Sequence, residues 1–126
     1  MKTLRFIAVF TLLLAASACG SGKNASGSFY KRHVEVSYYG DKFNGRKTAS
    51  GEKFSNSKKT AAHRSLAFGT KIKVTNVAND KSVIVTINDR GPQKSGRELD
   101  LSKSAFMEIT DNKNHGTLKV DIQLIK

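Results

Sequence analysis

Residues 82–92 read SVIVTINDRGP. The stretch starts as a β-strand, rich in β-branched residues, and stops at an acid, a base, a glycine and the chain's only proline. Such a run bounded by a Gly-Pro turn reads as a strand entering a tight corner. The strand delivers its last side chain, Asp89, to a barrel mouth or a cleft. A carboxylate there is a candidate general acid. It is equally explained as a turn residue that accepts amide hydrogen bonds.

Working outward, TKIKVTNV (70–77) and KSVIVTIN (81–88) share alternation and are separated by a short polar connection, a β-hairpin signal. HVEVSYY (33–39) reads as an earlier strand. GTLKVDIQLI (116–125) reads as the closing one, with Leu118, Val120, Ile122 and Leu124 on one face. Between strands lie a long polar loop over 40–57, with Phe43 and Phe54 as anchors, short extended pieces over 58–70 that end in a turn at Gly69, and a short extended RELDL at 97–101. SKSAFMEI (102–109) predicts a helix with Ser102 as N-cap and Ala105, Phe106 and Ile109 on its buried face. Several short strands with one helix suggest a small closed β-barrel, because closure removes sheet edges.

The N-terminus follows a different order. Lys2 and Arg5 precede an apolar run and then small residues before Cys19, the only cysteine. That is the pattern of a secretory signal, too short for a comfortable membrane span. The domain expectation is a lipoprotein-type signal at 1–18, a lipidated Cys19 with a Gly/Ser-rich linker over 19–29, and the folded domain at 30–126. ASAC (16–19) resembles a bacterial lipobox, and each buried acyl methylene contributes about 0.8 kcal/mol to membrane anchoring. Gly20 lacks the acidic signal that retains such proteins at the inner membrane, so the expected address is the outer membrane, facing the periplasm.

The chain carries 22 basic and 10 acidic residues, a net charge of +12. Strong positive charge favours anionic partners such as an acidic polymer or lipid surface. Export argues against nucleic acid, and no aromatic-interleaved basic motif argues for it. Three histidines without metal-ligand spacing give no zinc site, and no phosphate loop or Ser-nucleophile motif occurs, so no cofactor is expected. Asp100, eleven residues beyond Asp89 and just ahead of the helix, serves either the helix N-terminus or a cleft shared with Asp89. Glu52 in a loop and His63 in TAAHRS read first as solvated and structural residues.

Taken together, SYYGDKFNGRKTASGEKF, TAAHRSLAFGTKIKVTN, SVIVTINDRGP and RELDLSKSAF, in that order, resemble the rare lipoprotein A family over residues 34–125. The resemblance implies a small six-stranded double-psi β-barrel with one or two short helices. It implies a lytic transglycosylase that cleaves the MurNAc–GlcNAc bond of peptidoglycan without water and leaves 1,6-anhydro-MurNAc ends. Its alternative is a non-catalytic, expansin-like module that binds or scaffolds glycan. The family's acidic and histidine positions match Glu52, His63, Asp89 and Asp100, with Asp89 or Asp100 expected as the general acid. Tyr38, Tyr39, Arg90 and Arg97 are the expected sugar-binding residues. The expected partners are peptidoglycan strands, the membrane through Cys19, and division or cell-wall proteins. Two departures stand out: Ala67 where relatives have proline, and no tryptophan anywhere. Many relatives carry a C-terminal glycan-binding repeat. Here the sequence ends with the last strand, so targeting is expected to rest on the lipid tether and the basic surface.

Overall fold

The computed structural model describes residues 28–125. The signal, Cys19 and the linker up to residue 27 lie outside the described residues. Six strands close into one barrel: β1 (Phe29–Tyr38), β2 (Thr60–Ala62), β3 (Lys71–Asn76), β4 (Ser82–Asp89), β5 (Arg97–Leu101) and β6 (Leu118–Leu124). A single helix, α1 (Lys103–Ile109), follows β5, and a 3-10 turn covers Asp41–Phe43. The barrel order is β1-β5-β2-β4-β3-β6. Two parallel pairs, β1–β5 and β2–β4, sit among antiparallel neighbours and carry the crossovers of a double-psi barrel.

Alternation explains the core. In the β3–β4 hairpin, Val74 faces Val83 and Ile72 faces Val85 across the ladder, and all four side chains are buried. Ile84, on the opposite face, is half exposed. Val120 and Ile122 of β6 complete the interior, as the period-two pattern predicts. The hairpin connection is held by asparagine side chains: Asn76 Oδ1 accepts from Ala78 N–H at 2.9 Å, and Asn79 Oδ1 from Lys81 N–H at 3.0 Å.

Helix α1 begins as expected. The Ser102 hydroxyl accepts from Ala105 N–H, and Ala105, Phe106 and Ile109 are fully buried. The buried Asn76 amide donates to the Ile109 carbonyl at 2.9 Å, satisfying one of the helix-end acceptors.

Strand β1 differs from its expected span. It starts at Phe29, four residues before His33 and inside the expected linker, and Leu124 N–H reaches the Ser28 carbonyl. The ladder with β6 slips between Phe29 and Lys31 and again between Lys31 and Val34. His33 sits there at φ 54°, its N–H held by Asp121 Oδ1 at 2.9 Å. These bulges break the period-two pattern, which conceals the first half of the strand.

Candidate active site

The barrel's topology brings Asp89 and Asp100 to one row. Ala62 of β2 is the register partner of Asp89 on β4 and of Asp100 on β5. The two acids therefore flank Ala62, two strand spacings apart, or about 10 Å between their Cα atoms. A Cβ built on Gly91 would lie 4.0 Å from the Ala62 Cβ, so the floor between the acids is made of small groups. Both carboxylates line an open cleft of about 440 Å³, together with Ser37, Tyr38, Tyr39 and Arg97.

Asp89 accepts three hydrogen bonds. The Tyr39 hydroxyl donates to Oδ2 at 2.5 Å, and the N–H groups of Ala49 and Arg90 donate to Oδ1 at 2.8 and 2.9 Å. Ala49 lies at the tip of a loop that folds over the strand end: Ser50 N–H bonds the Asn88 carbonyl, and the Asn88 side chain donates to Glu52 at 3.0 Å. The Tyr39 ring stacks on Phe54 at 4.1 Å between centroids and meets Phe43 edge-on. The two expected loop anchors thus hold the tyrosine that holds Asp89. Burial, the bond to Asp89 and the charges of Asp89 and Asp100 push the Tyr39 phenol well above the usual tyrosine range. It stays a protonated donor across the neutral pH range.

Asp100 is less enclosed. Ser37 Oγ, its register neighbour on β1, donates to Oδ1 at 2.7 Å. Arg97 bonds the same Ser37 oxygen and lies 3.9 Å from Asp100 Oδ1. The Oδ2 atom carries no hydrogen bond within the described residues.

Of the other expected site residues, Tyr38 and Arg90 line the cleft and His63 and Glu52 do not. His63 is buried and does not line the cleft. Its Nε2 lies 2.7 Å from Glu98 Oε2, and its Nδ1 accepts from the N–H groups of Ser65 and Leu66 at 3.0 and 3.1 Å. Glu52 lines a second depression with Lys53, Lys58 and Thr60, behind the loop tip. Arg90 touches Asp89 only through its backbone. Its guanidinium donates to the carbonyls of His63 and Leu66 and lies 4.0 Å over the Phe68 ring. Tyr38 packs on the core residue Phe106, 4.6 Å between centroids, while edging the cleft. Among the described residues no group of three or more His, Cys, Asp or Glu converges as metal ligands.

Glu98 and Ser37 escaped the sequence reading. Glu98 is buried, bonded to His63 and, at 3.2 Å, to Lys31 Nζ. Burial acts to raise its pKa, but the His63 and Lys31 partners outweigh this and hold it below the usual glutamate value. One signal was available: Glu98 is a charged residue inside the strand RELDL, next to the core residue Leu99, although the ladder with β1 slips there, Glu35 facing Arg97 and Val36 facing Leu99.

A closed six-stranded barrel with two parallel crossovers and acids on β4 and β5, on either side of β2, defines a double-psi β-barrel with a polar cleft. Comparison with known proteins agrees. Residues 24–122 match the family model described as lytic transglycolase, and the chain belongs to that family, the rare lipoprotein A family. It is 54% identical over 87 residues to the probable endolytic peptidoglycan transglycosylase RlpA of Treponema pallidum, covering 69% of this chain and 27% of that protein. It is 44% identical over 117 residues to the endolytic peptidoglycan transglycosylase RlpA of Rickettsia felis, covering 82% of this chain and 51% of that one. The chain thus spans between about a quarter and a half of these curated relatives. Among solved structures, Streptomyces papain inhibitor aligns with a TM-score of 0.61 at 17% identity, covering 80% of this chain and 100% of that one. The apo expansin of Clavibacter michiganensis aligns at 0.59 and 22%, covering 75% and 50%. These two share the barrel.

Proposed function

We propose that this protein is a lytic transglycosylase of the bacterial cell wall, cleaving the MurNAc–GlcNAc bond of peptidoglycan in the cleft between Asp89 and Asp100. The observation that carries this reading is the pair of carboxylates on either side of Ala62, in a chain of the lytic transglycolase family. The reaction needs one carboxyl group that gives a proton to the leaving glycosidic oxygen as the C1–O bond breaks. The same group then takes a proton from the C6 hydroxyl as O6 closes on C1. No water enters the product.

The two acids suit different parts. Asp89 meets three donors, the surroundings of an acceptor-only carboxylate, fixed in place. It would stabilise positive charge developing at C1 and hold sugar hydroxyls. Asp100, with a single donor on Oδ1 and an open Oδ2, is the proton carrier in this proposal. Arg97 beside it and the edges of Tyr38 and Tyr39 would contact the glycan. Glu52 would support the site from behind the loop tip, through Asn88.

A second reading, binding without cleavage, draws on the same three bonds to Asp89, since an acceptor-only carboxylate binds hydroxyls without any transfer. The two separate on products: purified protein is incubated with intact and peptide-stripped peptidoglycan, and the soluble fraction is analysed by mass spectrometry. Cleavage gives anhydro-muropeptides. Sedimentation with the polymer and no release gives the binding module. For location, we extend the same proposal to a lipid tether at Cys19 in the outer membrane. Blocking lipoprotein signal cleavage then leaves a slower-migrating precursor.

A further inference from the structure

We propose that Glu98 is a positioning residue for this site: it fixes the orientation of the His63 ring and, through His63, the strand end that carries Asp89. The inference rests on the cleavage reading for its consequence, but its geometry stands apart from it.

A continuous set of bonds joins Glu98 to Asp89. His63 Nδ1 accepts two backbone N–H groups, so the ring carries its proton on Nε2 and donates it to Glu98 Oε2 at 2.7 Å. With both nitrogens engaged, the ring has one orientation. His63 follows directly on Ala62, the floor between Asp89 and Asp100. Its own N–H donates to the Asp89 carbonyl at 3.1 Å. Its carbonyl, with that of Leu66, receives the Arg90 guanidinium, and Arg90 N–H donates to Asp89 Oδ1. Releasing His63 would loosen the backbone bond to Asp89 and the clamp on Arg90 together.

A buried carboxylate is a costly way to fill space. An apolar side chain of similar volume is often as stable or more so in such a position. Glu98 is 8% exposed and is bonded there by both His63 and Lys31. Its place on β5, two residues before Asp100, lets one strand supply both an acid of the cleft and the brace of the turn beside the other acid. Tyr30 packs edge-on against the His63 ring at 5.6 Å between centroids and closes the pair off.

The test compares Glu98→Gln, Glu98→Leu and Glu98→Asp in the full protein by three readouts: ring-nitrogen NMR of His63, the amide shift of Arg90, and kcat and KM for anhydro-product release. Glu98→Gln keeps an acceptor for Nε2–H, so it should retain the His63 ring shifts and most of kcat. Glu98→Leu should leave Nε2–H without its acceptor, shift the His63 Nε2 resonance, move the Arg90 amide and lower kcat about tenfold or more, with KM changed little, since small misplacements act on the reacting geometry. Glu98→Asp shortens the side chain by one methylene, keeps the charge and should fall on the same side as Glu98→Leu. It serves if the leucine variant does not fold. An Arg90 amide unchanged in both, or a moved Arg90 amide with wild-type kcat, overturns the proposal. If the wild type releases no product, the cleavage reading fails alone. The positioning claim is then decided by the Arg90 amide, which moves in Glu98→Leu and Glu98→Asp if the claim holds and stays fixed if it does not.

Discussion

Tyr39 and Asp89, fifty residues apart, are joined by a 2.5 Å hydrogen bond from the phenol to Oδ2. The bond ties the end of β1 to the end of β4 across the mouth of the barrel. It sets where a cleft carboxylate points, and the stack of Tyr39 on Phe54 makes the position of that phenol a property of the 40–57 loop.

Tyr39→Phe removes this donor and leaves the ring stack and the two backbone donors to Asp89 in place. Stability should change by about 1 kcal/mol, the net value of an ordinary hydrogen bond. Product release should fall about tenfold or more, which corresponds to about 1.4 kcal/mol of barrier. Urea unfolding and muropeptide release measure the two effects separately.

Ala62→Leu places a branched side chain on the floor between the two acids. Both glycan sedimentation and product release should be lost. The barrel should remain folded at a cost of about 1–3 kcal/mol for overpacking. Far-ultraviolet circular dichroism and the thermal midpoint check the fold.

Gly91→Ala tests the corner that ends β4. Gly91 has φ 131°, and a Cβ there would have its nearest neighbours at 3.9 and 4.0 Å, so there is room but the backbone is wrong for an L-residue. The substitution should cost about 1–3 kcal/mol from strain alone. A shift of the urea midpoint without a change in slope would show it.

Acid should weaken the fold partly through Glu98. Its folded pKa lies below the ordinary glutamate value, so as pH falls the unfolded chain binds this proton first. The stabilisation it provides is present above that ordinary value and disappears as pH drops through the folded pKa. Exposed Asp41, lowered by its bonds from Asn56 and Lys103, acts in the same direction. Urea midpoints measured from neutral to acidic pH should fall more steeply for the wild type than for Glu98→Gln, which has no such proton to take up.

The parts of the fold legible in the sequence were those with unbroken local patterns. Strands β3, β4 and β6 alternate cleanly, and Ser102 with its buried triplet marks α1. The first half of β1 was not legible, because its pairing with β6 is bulged around His33 and alternation across a bulge loses its phase. In the site, Asp89 and Asp100 were visible as acids at strand ends on either side of one turn. Their common partner Ala62 was not, since register between β2, β4 and β5 is a long-range property. The same holds for the bond between His63 and Glu98, thirty-five residues apart: a lone histidine and a strand glutamate carry no mark of each other. Placing His63 and Glu52 in the cleft itself required knowing which way β2 and the loop tip turn.

The most direct measurement of the central claim is product analysis after digestion of purified peptidoglycan in heavy-oxygen water by the wild type, Asp100→Asn and Asp89→Asn. The account predicts 1,6-anhydro ends free of label from the wild type, near-complete loss of release in Asp100→Asn and a strong reduction in Asp89→Asn. Labelled reducing ends, or full release by both variants, would contradict it.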